Sequence, residues 1–190
     1  MKKLKLLSPF KWLNLTKYLK EGNKYRIGNI ISSGSYSDVY YGYQINNKKK
    51  YAVKVLYDYD ESIKSEINFF KKDINNKNII KYHNIFYKND SVNIVMDLYK
   101  YDLYNYYYKF ILSEDIIKII IKQVIYGMLT LQEHDIYHTD IKLENILLND
   151  YNHIVLTDFG SYVSFKKNNE LIINKAGSYA YNSPEIFKNK

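Results

Sequence analysis

Asp140, Lys142 and Asn145 stand together in one short stretch, HTDIKLEN (His138–Asn145), between a long helical pattern and a short apolar run. An acid, a base and an amide on a single turn sit where loops carry function. Thirteen residues after Asn145 comes another acid, Asp158, in TDFG. Asn145 and Asp158 are hard oxygen donors, and beside Asp140 they suit magnesium, which keeps waters and phosphate oxygens among its ligands. Lys54 lies mid-strand within AVK, where a charge is costly unless paired. Glu66 on the following helix is its natural partner, with Glu61 as a rival; Glu66 is favoured because it directly precedes the apolar IxFF. Gly34 falls in a loop between two strands, where a backbone can lie close over phosphates. His138 reads as a packed structural histidine, and His83, His134 and His153 are scattered without metal-ligand spacing.

The elements that must position these residues are legible in outline. YRIGNII, DVYYGYQI and KYAVKVLY alternate and are rich in Ile, Val and Tyr, which predicts three antiparallel strands over residues 25–58. Residues 60–73 place Ile63, Ile67 and Phe70 on one helical face. Ile79–Lys88 and Ser91–Leu98 read as two further strands. Ser113 is the expected N-cap of a long, largely buried helix, with acids in its first turn and Ile117, Ile120, Ile121, Val124 and Met128 at helical spacing. Ile154–Leu156 is a short strand ending at Asp158. The fold class is α+β: a sheet-rich lobe with one helix, joined to a mainly helical lobe.

Composition narrows the alternatives. The 190-residue chain is 46% hydrophobic, so it is not a disordered tail. It has no cysteine, which removes disulfides, thiolate metal sites and a cysteine nucleophile, and suits a reducing compartment, cytoplasmic or nuclear. No apolar run reaches the length of a membrane span. The net charge is +8, but Arg26 is the one arginine among 28 cationic residues. Base readout favours arginine's planar fork, so no specific nucleic-acid contact is expected. The tyrosines of Tyr99–Tyr108 follow the same lysine-, asparagine- and isoleucine-rich bias; a stacking platform for single strands is the weaker alternative. Residues 1–24 read as a basic, partly amphipathic extension.

Together these residues resemble the eukaryotic protein kinase family, from Tyr25 to the end of the chain. HTDIKLEN resembles the catalytic loop HRDLKxxN, TDFG the metal-binding DFG, AVK the strand motif ending in the phosphate-contacting lysine, and GSYAYNSPE (Gly177–Glu185) the GTxxYxAPE segment. Each motif alone is weak; in this order and spacing they are specific. The resemblance implies a two-lobed kinase-like fold, with an N-lobe over 25–98 and a partial C-lobe over 99–190. It implies ATP and Mg2+ as cofactors and a protein as substrate. Asp140 would accept or orient the substrate hydroxyl's proton, and Lys142 would steady the transferring phosphoryl. Asn145 and Asp158 would hold magnesium. Lys54, paired with Glu66, would hold the α- and β-phosphates. Ile31 and Val39 would wall the adenine, with Ala52 below it, and Asp97 and Tyr99 would lie at the hinge after Met96. Lys142 with Ser178 favours serine/threonine transfer, the Ser178 hydroxyl bonding Asp140 and Lys142.

Three departures qualify the resemblance. The phosphate loop keeps only its middle glycine, as Ser32, Gly34 and Ser37. The chain stops five residues after Glu185, where the family continues with further helices. An incomplete C-lobe is therefore expected, with a partner or self-association covering it. Thr139 stands where the family has an arginine that grips an activation-segment phosphate. A non-catalytic or truncated kinase-like module is the alternative reading.

Overall fold

The computed structural model describes residues 24–34, 37–57, 61–88, 91–164 and 177–184. Most of the N-terminal extension (1–23), the loop tip at 35–36 and Glu185 of the GSYAYNSPE segment lie outside them. The chain divides into two compact units. One holds the described residues up to Ile67 together with Lys81–Leu98; the other holds Asn68–Ile80 and the described residues from Tyr99 onward.

The first unit is a five-stranded antiparallel sheet. β1 (Tyr25–Ser33), β2 (Ser37–Gln44), β3 (Lys50–Leu56), β4 (Tyr82–Lys88) and β5 (Ser91–Met96) lie in the order β1-β2-β3-β5-β4. β3 and β5 run through the middle. Tyr51–Leu56 and all of β5 are buried, which is why these strands read as continuous apolar runs around Lys54. Tyr25 stacks on Phe86 with ring centroids 5.7 Å apart, and both pack with Tyr51, Val53, Val55 and Val95. On the opposite face the register sets Val39 across from Lys54 and Ala52 across from Met96. β1 advances from Ile30 to Ser32 while β2 moves only from Tyr40 to Val39, so Ile31 is a bulge residue.

Helix α1 (Glu61–Lys71) follows β3. Ile63 and Ile67 are buried as expected, but the aromatic on the buried face is Phe69, at 3% exposure, and Phe70 is only half-buried. Helical spacing alone favours neither, and Phe69 is selected by its stack on Phe159, with ring centroids 3.5 Å apart. The strand expected over Ile79–Lys88 begins at Tyr82. Ile79 and Ile80 instead pair with Leu156, whose carbonyl accepts the Ile80 N–H at 2.9 Å.

The second unit opens with β6 (Tyr101–Asp102) and α2 (Leu103–Lys109), a tyrosine-rich helix capped by Asp102, whose side chain accepts the Asn105 N–H at 2.7 Å. α3 (Glu114–Glu133) has the expected Ser113 cap and acidic first turn. It is not largely buried. Ile120, Gly127 and Leu131 form its buried face, while Ile117, Ile121 and Met128 are 41 to 52% exposed. Gly127 marks the closest approach: a Cβ there would lie 3.0 Å from both the Asn78 carbonyl and Leu156 Cδ1. β7 (Ile136–Tyr137) pairs with β10 (Val163–Ser164), and β8 (Ile146–Leu148) joins β6 and β9 (Ile154–Leu156) in a three-stranded sheet. Buried Asn78 pins β9 by donating Nδ2–H to the Ile154 carbonyl at 2.9 Å. Among the described residues no helix is long and apolar enough to cross a membrane.

Candidate active site

In the first unit, Lys54 projects from buried β3 and its Nζ donates to Glu66 Oε1. Lys54 is 8% exposed and Glu66 fully buried. The other Glu66 oxygen accepts the Tyr82 hydroxyl at 2.8 Å. A buried ion pair persists only when its remaining lone pairs are satisfied, and Tyr82 contributes to that here. Of the two acids weighed for Lys54, Glu66 is in contact; the Glu61 side chain lies outside the described residues. Val39 and Ala52 share the Lys54 face of the sheet, and Asp97 follows β5. The Asp97 carboxylate meets His83 Nε2 at 2.6 Å, and this contact is the main cause holding its pKa below the ordinary value.

The base of the loop around Gly34 is closed by Asp38, which no motif marked. Its carboxylate is held below the usual range first by the Ser33 side chain, then by Tyr57 and Tyr40, with a further bond from the Gly34 backbone. The Gly34 N–H also donates to the Ser37 carbonyl at 2.8 Å.

In the second unit, the turn between β7 and β8 carries the acid, base and amide. Leu143–Asn145 form a single 3-10 turn, and the Asn145 N–H donates to the Lys142 carbonyl at 3.0 Å. Asp140 is the hub. Its Oδ2 accepts from Lys142 Nζ at 2.8 Å and from Asn145 Nδ2 at 3.1 Å, and its Oδ1 accepts the Ser178 N–H at 2.7 Å. Lys142 Nζ also donates to Ser178 Oγ at 2.9 Å. Burial alone would raise the Asp140 pKa, but Lys142 and Ser178 outweigh it, and the carboxyl stays below its ordinary value. Gly177 makes this closure possible: a Cβ there would fall 2.2 Å from the Thr139 carbonyl and 3.0 Å from Asp140 Oδ1.

The β8–β9 hairpin brings Asn145 and Asp158 to one end. Ile146 pairs with Leu156, and beyond it the Thr157 N–H donates to the Asn145 carbonyl at 3.0 Å. Buried His138 ties the same two segments. Desolvation lowers its pKa, so the ring is neutral, with Nε2–H donating to the Thr157 carbonyl at 2.8 Å. Its Nδ1 is then the acceptor for the Asp140 N–H at 3.4 Å. Phe159 is fully buried, stacked on Phe69 at 3.5 Å and tilted against His138 at 4.9 Å. Thr139 (φ 62°) and Asp158 (φ 67°) both have left-handed backbones, a region rarely occupied by non-glycine residues.

The donor set suits a hard divalent cation. Both hydrogen bonds of the 5%-exposed Asn145 side chain use Nδ2 toward oxygen acceptors, which fixes the amide orientation and leaves the hard Oδ1 for a cation. Asp158 would supply a carboxylate from the adjacent strand end. A cavity of about 540 Å³ adjoins the turn, lined by Met128 and Leu129 of α3 and by Asp140, Gly177 and Tyr181.

Of the residues that sequence reasoning singled out, Ile31, Gly34, Val39, Ala52, Lys54, Glu66 and Asp97 fall in the first unit. Tyr99, Asp140, Lys142, Asn145 and Asp158 fall in the second. That reasoning missed Tyr82, Asp38, Phe69 and the Thr139 hydroxyl, which have no local sequence signal.

The fold is of the kinase type: a solved crystal structure of a kinase domain matches with a TM-score of 0.79 at 25% identity, over 88% of this chain and 58% of that one. The chain belongs to the protein kinase family, whose domain model matches residues 25–190. CBL-interacting serine/threonine-protein kinase 10 of Arabidopsis thaliana is 27% identical over 179 residues, covering 88% of this chain and 37% of that protein. CBL-interacting protein kinase 10 of Oryza sativa subsp. japonica is 25% identical over 177 residues, covering 88% of this chain and 39% of its own length. Misshapen-like kinase 1 of Rattus norvegicus is 32% identical over 149 residues, covering 69% of this chain and 11% of that protein. The chain thus spans less than half the length of these relatives.

Proposed function

We propose that this chain is the catalytic domain of a serine/threonine protein kinase, moving the γ-phosphate of ATP to a protein hydroxyl. The observation that carries this reading is the bonding of Asp140 to Lys142, Asn145 and Ser178. A carboxylate kept ionised on a fixed turn can receive a substrate O–H and orient it. Its low pKa makes it a weak base, so orientation is its main work and the proton arrives late. That suits phosphoryl transfer, in which positioning and charge neutralisation dominate. In this reading Lys142 steadies the transferring phosphoryl, and Lys54, held by Glu66, binds the α- and β-phosphates. Ile31, Val39 and Ala52 wall the adenine, Gly34 covers the phosphates, and Asp97 and Tyr99 meet the base at the hinge. Asn145 and Asp158 would hold Mg2+, which when bound neutralises phosphate charge. The Lys142–Ser178 contact favours serine and threonine over tyrosine, in line with the name of the Arabidopsis relative.

The second reading, a non-catalytic kinase-like module, is favoured by one observation. Asp38 sets a negative charge at the base of the phosphate loop, and the Gly34 N–H is already spent on Ser37 and Asp38. One experiment separates the two. The chain is assayed for phosphotransfer to a mixed protein substrate with Mg2+ and ATP, and its melting temperature is measured with and without both. A ligand bound only by the native state raises that temperature by mass action. Transfer with a thermal shift supports the kinase reading. No shift at millimolar Mg2+ and ATP, in folded protein, supports the module.

A further inference from the structure

We propose that Thr139 is a positioning residue of this site, its hydroxyl fastening the Asp140 turn to the segment that follows Asp158. β7 and β10 pair with Tyr137 opposite Val163 and Ile136 opposite Ser164. Extending that register sets Thr139 opposite Ser161. At Thr139, however, the backbone has turned left-handed, with φ 62°. The ladder therefore ends at Tyr137, and the side chain supplies the next rung: Thr139 Oγ1 donates to the Ser161 carbonyl at 2.7 Å.

Two features set this apart from an ordinary threonine hydroxyl. A β-branched residue at positive φ is an outlier, and such strain persists only where the surroundings over-determine it. Glycine or asparagine would adopt this φ with less strain. The same residue also takes Gly177 against its carbonyl. Thr139 thus touches the segment carrying Asp158 through its side chain and the segment carrying Ser178 through its backbone, while Asp140 is the next residue. The kinetic part of this inference rests on the phosphoryl-transfer reading; the anchor itself does not.

Three variants of the chain test it. Thr139→Val keeps the β-branched shape and removes the donor. Thr139→Ser keeps the donor. Thr139→Gly removes the donor and relieves the backbone. Amide exchange across the β7–β10 ladder is measured together with kcat, the KM for ATP and the Mg2+ concentration for half-maximal rate. Thr139→Val and Thr139→Gly are expected to exchange about tenfold faster in the ladder, lose about tenfold or more in kcat, and need more Mg2+, as a misplaced site does. Thr139→Ser is expected to stay near wild type. Thr139→Gly should lose rate without losing melting temperature, a split that a merely structural role would not produce. Unchanged ladder exchange in Thr139→Val overturns the anchor, as does unchanged exchange in Thr139→Gly should the valine variant not fold. Unchanged kcat and Mg2+ requirement alongside faster exchange overturn the positioning role. If wild type transfers no phosphate, the kinase reading has failed and ladder exchange alone decides the anchor.

Discussion

Asn145 turns its amide nitrogen toward Asp140, donating to the backbone carbonyl at 2.9 Å and to Oδ2 at 3.1 Å. One amide therefore holds the acid, and in the kinase reading its oxygen would face a cation. Asn145→Ala should lower kcat by about a hundredfold or more and raise the Mg2+ requirement, since it removes both contacts. Asn145→Asp keeps an oxygen for the ion but loses the N–H and sets a like charge beside Asp140. It should lose rate with a smaller change in Mg2+ requirement. A magnesium titration of initial rates separates the two, and equal effects would contradict the division of roles.

Lys54 and Glu66 form a buried pair, so breaking it has two consequences. Lys54→Met should cost about a hundredfold or more in phosphotransfer, roughly 3 kcal/mol. Glu66→Leu alone leaves a buried lysine uncompensated and should cost about 3–5 kcal/mol of stability. The double variant Lys54→Met/Glu66→Leu should recover much of that stability without recovering activity. Chemical denaturation of the four proteins checks this; additive losses would mean the pair is not coupled.

Stability should fall in two steps as pH drops. His138 has a folded pKa below the usual imidazole value of about 6.5, so the unfolded chain binds the extra proton and stability declines as pH falls through that region. Asp140 has a folded pKa below the usual value of about 4, so its contribution is present above that value and is lost as pH falls through the folded one. Melting temperature is followed from pH 8 to pH 3. His138→Gln should flatten the first step, and an unaltered slope would remove His138 as its source.

Thr139 carries no charge with which to grip a phosphate, so activity should not depend on phosphorylation of the segment after Asp158. Initial rates before and after phosphatase treatment and removal should agree within about twofold. A fall of about tenfold, traced to Ser161, Ser164 or Ser178 by acid-for-serine rescue, would mean that another cation does the arginine's work.

α3 exposes Ile117, Ile121, Ile125, Met128 and Leu129 at 41 to 52%. Contiguous exposed apolar side chains mark interfaces or aggregation. The isolated 190-residue chain should self-associate at micromolar concentration, and Ile121→Lys/Ile125→Lys should reduce this. A monodisperse wild-type monomer in light scattering would contradict it.

Much of the site was legible because its residues cluster within a few positions of one another. Asp140, Lys142 and Asn145 share a turn, and Asp158 follows one hairpin later. Lys54 was legible because a charge inside an apolar strand demands a partner within reach. What escaped the sequence depends on contacts between distant segments or on which helix face is covered. The α2 tyrosines have no apolar periodicity, so the helix is set by the Asp102 cap and packing of Leu103. Phe69 and Phe70 are adjacent and chemically identical, and only the position of Phe159 distinguishes them. α3 has isoleucine all round, so its pattern could not reveal that only Ile120, Gly127 and Leu131 face inward. The Thr139–Ser161 bond spans 22 residues and joins a side chain to a backbone carbonyl.

The bare α-carbon of Gly177 acts as a fit gauge between two stretches of chain. With nothing beyond hydrogen at that position, the segment can seat against the Thr139 carbonyl and deliver Ser178 to Asp140; with one methyl it must stand off. Residue 177 is therefore an address for a separable allele. Gly177→Ala leaves every charged side chain of the chain in place, including the Lys54–Glu66 pair, yet unseats Ser178 from the acid and the lysine it bridges.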